Sequence, residues 1–166
     1  MMGLKARLAA VLLATAGLIS IVHAELAGAP APDFALKSVN GKNYRLSEYR
    51  GRVVLLSFGA SWCGECRTQL ETLSELQQRY AGSGLEVLVV SLDRDMDEVE
   101  DMARALDIEF PALHDVGGDV GEHYSVKKLP YVVLIDQEGV VRNEYTGFQR
   151  GQEEQYLAEA RSLLTW

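Results

Sequence analysis

Val53-Val54-Leu55-Leu56-Ser57-Phe58-Gly59-Ala60-Ser61-Trp62-Cys63-Gly64-Glu65-Cys66 leads straight into Arg67-Thr68-Gln69-Leu70, and this stretch decides the fold. Its opening run from Val53 to Phe58 is nearly all Val and Leu, as expected of a strand buried on both faces. Beyond Gly64 the apolar period changes. Leu70, Leu73, Leu76 and Tyr80 are spaced to line one face of a helix from about Gly64 to Tyr80, which Gly82-Ser83-Gly84 stops. A buried strand feeding a long helix, with cysteines at the junction, points to an α/β architecture.

Upstream, Ala29-Pro30-Ala31-Pro32 is a stiff entry segment. Phe34 to Leu36 and Tyr44 to Leu46 predict a short hairpin turning at Asn40-Gly41. Downstream, Leu85 to Leu92 reads as a second buried strand, and a helix over Met96 to Leu106 buries Val99, Met102, Ala103 and Leu106. Phe110 to His114 is a short extended piece, and Gly117-Gly118 introduces a short helix towards Tyr124. Tyr131 to Ile135 and Val140 to Tyr145 predict two strands joined across Asp136-Gln137-Glu138-Gly139. A last helix over Gln152 to Leu164 buries Tyr156, Leu157, Ala160, Leu163 and Leu164. The expected fold is one α/β domain, residues 25–166, with a central mixed sheet flanked by helices.

Residues 1–24 read as an export signal. Lys5 and Arg7 form a basic start, a 14-residue apolar run from Ala9 to Val22 follows, and Val22-His23-Ala24 offers a cleavage site before Glu25. The run is shorter than the roughly 18 residues of a spanning helix, which favours cleavage over an uncleaved membrane anchor. The predicted location is the periplasm, an oxidising compartment where cysteines serve as disulfides or as catalysts of their exchange.

The formal net charge of −8 becomes about −10 once Lys5 and Arg7 leave with the leader. Nucleic acid and anionic lipid would each need a basic patch to displace counterions, so neither is an expected partner. With 48 % hydrophobic and 24 % charged residues, the composition is globular rather than disordered.

Cys63 and Cys66 are the only cysteines. A sulfur at a helix N-terminus meets unpaired backbone N–H groups and the positive end of the helix dipole, and both favour thiolate over thiol. The thiolate is the reactive species in disulfide exchange. Cys63 is therefore the expected nucleophile and Cys66, one helical turn on, the resolving residue. Three other readings compete. A structural staple closing so short a loop removes little unfolded-state entropy. A structural zinc site needs four ligands, and His114 and His123 lack metal-ligand spacing to the pair. Copper(I) held by two soft thiolates is the more plausible metal reading.

With Leu129-Pro130 ahead of an apolar strand, the sequence resembles the thioredoxin superfamily and, within it, the exported TlpA/ResA-like branch that overlaps the redoxin families. Further points of likeness are Ala31-Pro32-Asp33-Phe34, Gly51-Arg52 leading into the strand, Phe110-Pro111, and Leu134-Ile135-Asp136-Gln137-Glu138-Gly139. A helix inserted between the second and third core strands, here 96–106, also typifies the branch. The resemblance implies a thioredoxin fold and a protein thiol-disulfide oxidoreductase without cofactor or resident metal. It implies that Pro130 is cis and faces the cysteines, exposing the Leu129 backbone to an extended substrate, with Trp62 as an apolar platform. Cysteine-containing protein substrates and a membrane thiol electron donor are implied as partners, with apocytochrome c or copper-site cysteines as substrates in such relatives. Direction, reductant or oxidant, depends on potential rather than on the motif. Nothing in the residues sets the oligomeric state.

Several positions depart from the branch. Gly64-Glu65 lacks the common proline before the second cysteine, Gln69 stands where many members have glutamate, and Glu71 stands where a proline often kinks the helix. Ser57 replaces the buried aspartate of thioredoxin. The proton acceptor for Cys66 is thus unassigned, with Glu65 the nearest candidate. The run Asp93 to Asp101 reads as an acidic first helical turn on a solvated face, and Met96 and Met102 as helix contacts. Two other functions stand beside the oxidoreductase: a copper(I) metallochaperone using the same cysteines, and a thiol peroxidase. The residues flanking Cys63 do not reproduce the threonine-and-cysteine motif of peroxiredoxins.

Overall fold

The computed structural model describes residues 26–80 and 82–164; the export signal read in residues 1–24 lies outside the described residues. Strands β1 (Ala35–Ser38) and β2 (Asn43–Arg45) form the hairpin, and a single 3-10 turn at Leu46–Tyr49 leads into β3 (Val53–Gly59). Helix α1 (Gly64–Tyr80) precedes β4 (Leu85–Ser91), α2 (Met96–Ala105), β5 (Ala112–His114) and α3 (Asp119–His123). Strands β6 (Tyr131–Ile135) and β7 (Val141–Thr146) then lead to α4 (Gln152–Leu163).

The strands form one mixed sheet in the order β2-β1-β5-β4-β3-β6-β7. Strands β3, β4 and β5 run parallel, while β6 pairs antiparallel with β3, and β1 with β5. β3 is an interior strand between β4 and β6 and is buried along its whole length, which accounts for an apolar run interrupted only by Ser57. Its side chains alternate between two cores. Val53 and Leu55 pack with Leu70, Leu73, Val87 and Tyr156 under α1 and α4. Val54, Leu56 and Phe58 pack with Leu88, Val90, Val133 and Tyr124 on the opposite face. The inserted helix α2 lies against β5 through Val99, Ala103 and Ala112.

This arrangement carries the ends of β3, β4 and β5 to one edge of the sheet, where the chain turns from β3 into α1. Among the described residues, no helix is long and apolar enough to cross a membrane.

Candidate active site

The β3–α1 junction places Cys63 immediately before the first helical residue. Its carbonyl accepts the N–H of Arg67 at 3.3 Å, and its Sγ accepts the N–H of Cys66 at 3.2 Å. Cys63 therefore occupies the N-cap position of α1, with sulfur where a serine or aspartate oxygen usually sits. The N–H that would otherwise be orphaned at the helix start points at this sulfur. Cys63 and Cys66 are joined in a disulfide. Cys63 is half-buried, while Cys66 is only 1 % exposed. The end of β3 closes over the second sulfur: a Cβ at Gly59 would lie 3.5 Å from Cys66 Sγ. Only Cys63 can be reached from outside.

A groove of about 600 Å³ opens beside Cys63. Trp62, Leu92, Val126 and Leu129 give it apolar walls, Glu65 stands exposed on its rim, and Lys127 and Lys128 flank it. Trp62 is 72 % exposed, an unusual position for so large an apolar ring, and it is free to lie against a bound chain. The Leu129–Pro130 peptide is cis. Among the described residues, neither the N–H nor the carbonyl of Leu129 takes a hydrogen bond, so both remain open to an incoming strand. The structure thus brings Trp62, Cys63, Glu65 and Leu129 to one groove, with Cys66 behind Cys63.

Behind the first turn of α1 the polar groups are neutral. Ser57 Oγ donates to Gln69 Oε1 at 2.9 Å, and Gln69 Nε2 donates to Tyr156 OH at 3.4 Å, with all three residues buried. Gln69 thus replaces a carboxylate with an amide that serves both neighbours. Gln69→Leu should strip Ser57 of its acceptor and lower unfolding free energy by about 1–3 kcal/mol, read from urea denaturation of the oxidised protein. An unchanged midpoint would mean that Ser57 finds another partner at no cost. Tyr131, next to Pro130, donates its hydroxyl to Glu144. Burial first, then that hydrogen bond, holds the Tyr131 phenol far above the ordinary tyrosine range, so it stays protonated and is no base at neutral pH.

One residue at this edge runs against the sequence reading. Asp93 does not belong to a solvated acidic face: it is 2 % exposed, and its carboxylate accepts hydrogen bonds from Ser61, two residues before Cys63. The signal that could have found it is Ser91-Leu92-Asp93 at the end of a buried strand, where an acid has no solvent and needs donors. Asp95, ahead of α2, and Asp97, Glu98 and Asp101 on it are exposed, while Met102 is buried in the core as a helix contact. Among the described residues, no group of three or more His, Cys, Asp or Glu side chains gathers as a metal site.

The AhpC/TSA family model matches residues 27–144. The thiol-disulfide oxidoreductase ResA of Bacillus thuringiensis subsp. konkukian is 33 % identical over 131 residues, covering 78 % of this chain and 76 % of the relative. ResA of Geobacillus kaustophilus is 37 % identical over 120 residues, covering 72 % of this chain and 69 % of the relative. Among solved structures, a Chlorobium tepidum protein assigned as a candidate thiol:disulfide interchange protein DsbE superposes with a TM-score of 0.76 at 34 % identity. That match covers 81 % of this chain and 96 % of the other. The exposed lipoprotein thioredoxin of Streptococcus pneumoniae gives 0.71 at 32 % identity, covering 80 % and 100 %. Sequence and fold likeness converge on one lineage: the chain belongs to the AhpC/TSA family and is a thioredoxin-fold thiol-disulfide oxidoreductase of the ResA kind.

Proposed function

We propose that this enzyme is an exported protein-disulfide reductase in which Cys63 attacks and Cys66 resolves. The observation that carries the reading is the Cys63 sulfur at the N-cap of α1, half-exposed and facing the Cys66 N–H, with Cys66 sealed behind it. In the reduced protein, Cys63 thiolate attacks one sulfur of a substrate disulfide. The substrate S–S bond breaks, a Cys63–substrate disulfide forms, and the other substrate sulfur leaves as thiolate. Cys66 then loses its proton and attacks Cys63 Sγ, closing the Cys63–Cys66 disulfide and releasing the second substrate sulfur. Two electrons have passed to the substrate, and a donor dithiol must return them before the next cycle.

The groove supports binding of an extended cysteine-bearing segment: Trp62 as platform, the open Leu129 backbone as pairing edge, and Pro130 holding that edge toward Cys63. Glu65, exposed at the rim and one residue before Cys66, is the nearest carboxylate in sequence for the Cys66 proton. Residues 1–24 as a cleaved leader and 25–166 as the mature domain fit a periplasmic enzyme with a membrane thiol donor. Cysteines of apocytochrome c or of a copper site are the substrates that suit such a setting.

The test is reduction of insulin disulfides by the purified mature protein with dithiothreitol as donor, beside peroxide consumption and copper(I) titration. Catalysed insulin reduction with slow peroxide turnover is the expected result. Stoichiometric copper uptake without disulfide turnover would favour a metallochaperone, and rapid peroxide turnover a peroxidase. Trp62→Ala should lower kcat/KM on insulin about tenfold, mainly through KM, because an exposed aromatic at the mouth of a binding groove is a typical hot spot. Equal losses on insulin and on a small soluble disulfide would place the effect in Cys63 reactivity instead.

A further inference from the structure

Asp93 lies just beyond the end of β4, and its carboxylate is occupied by the loop that presents the reactive cysteine and by Ser91 at the end of β4. Oδ1 accepts the Ser61 hydroxyl at 2.8 Å and the Ser61 N–H at 3.1 Å. Oδ2 accepts the same N–H at 2.9 Å and the Ser91 hydroxyl at 2.6 Å. The backbone of Asp93 is held as well. Its N–H donates to Ser91 Oγ at 3.2 Å, and its carbonyl faces His114 Nε2 at 2.9 Å, so that nitrogen carries the proton. His114 itself is buried on β5. One strand end is thereby tied to its neighbour and to the Ala60–Cys63 turn, whose closing bond is Cys63 N–H to Ala60 carbonyl at 3.1 Å.

A buried carboxylate is costly unless its oxygens are filled, and here the donors that fill them come from the redox loop and from β4. Neither Cys63 nor Cys66 needs this group for the chemistry, yet it holds Ser61, two residues upstream of the attacking sulfur. We infer that Asp93 is a positioning residue of the disulfide exchange: it clamps Ser61, holds the turn in the form that accommodates the Cys63–Cys66 disulfide, and fixes a carboxylate on the turn that leads to the nascent thiolate. This rests on the proposed exchange through Cys63 and Cys66. Both consequences act in one direction. The clamp is formed with the disulfide closed, and a fixed negative charge opposes a thiolate but not a disulfide sulfur. Asp93 therefore favours the disulfide over the dithiol.

The experiment is the equilibrium of the mature protein with glutathione, in which protein disulfide plus two glutathione thiols gives protein dithiol plus glutathione disulfide. Asp93→Asn should move that equilibrium toward the dithiol by about threefold or more, and melting of the two redox forms should show the disulfide form losing more stability. Ser61→Ala removes one bond of the clamp, retains the carboxylate, and should move the equilibrium the same way by a smaller factor. It carries the test if Asp93→Asn does not fold. A purely structural aspartate would destabilise both redox forms equally and leave the equilibrium where it was, which would overturn the assignment. A wild-type protein that does not exchange with glutathione at all would instead overturn the proposed function.

Discussion

Cys66→Ser should arrest the enzyme as a mixed disulfide through Cys63, visible as adducts that dithiothreitol dissolves. Its partner variant Cys63→Ser should form no such adducts and reduce insulin only at the uncatalysed rate. The contrast follows from the different surroundings of the two sulfurs. Cys63 borders the groove at the helix N-cap, where an N–H already points at it, and can be approached by a substrate. Cys66 is 1 % exposed under Gly59 and can reach only a sulfur attached to Cys63. A substrate caught on Cys63 has no other exit than attack from Cys66, so removing the second sulfur strands it. The trapped proteins, recovered from an exported fraction and sequenced, should be cysteine-containing and name the pathway. Adducts formed by Cys63→Ser in place of Cys66→Ser would reverse the two roles.

Phe58→Ala should lower unfolding free energy by about 3–5 kcal/mol, a large part of the roughly 5–15 kcal/mol that holds a domain together. The Phe58 ring is fully buried at the end of β3, 5.1 Å from the Tyr124 ring and 6.0 Å from the Tyr131 ring, centre to centre. Loss of this ring leaves a cavity between α3 and the strand that follows Pro130. The melting temperature should fall by about 10 °C. A loss below about 1 kcal/mol would mean that the face collapses freely onto the smaller residue. Cys66→Ser, by contrast, should leave the reduced protein close to its native stability, because it exchanges one small buried group for another.

The elements that assemble the site were the most legible in the sequence, for a physical reason. The Val-Leu run of β3 is buried on both faces, and the 17-residue α1 beneath it must bury Leu70, Leu73 and Leu76, so pattern and packing agree. The two cysteines fall where these periods meet, and that junction is a helix N-terminus by construction. Short elements held by context were harder. Leu46–Tyr49 closes as a 3-10 turn where a strand end was expected, since Leu46 must turn inward to fill the core beside Phe34. Asp93 reads in the sequence as one more acid of a solvated face because its neighbours Asp95, Asp97 and Glu98 do lie outside. Composition does not distinguish a carboxylate at the buried end of β4 from those in the first turn of α2. Gln69 stood out as a departure, but its answering partners Ser57 and Tyr156 are 12 and 87 residues away along the chain, beyond any local pattern.

The most direct test of the central claim is competitive alkylation. The fully reduced protein is mixed at neutral pH with a limiting amount of iodoacetamide, quenched at intervals, and each cysteine is quantified by peptide mass spectrometry. The N-cap placement of Cys63 predicts that this sulfur is carbamidomethylated first, with Cys66 modified only slowly. Modification of Cys66 first, or of both at equal rates, would contradict the assignment of Cys63 as the activated sulfur.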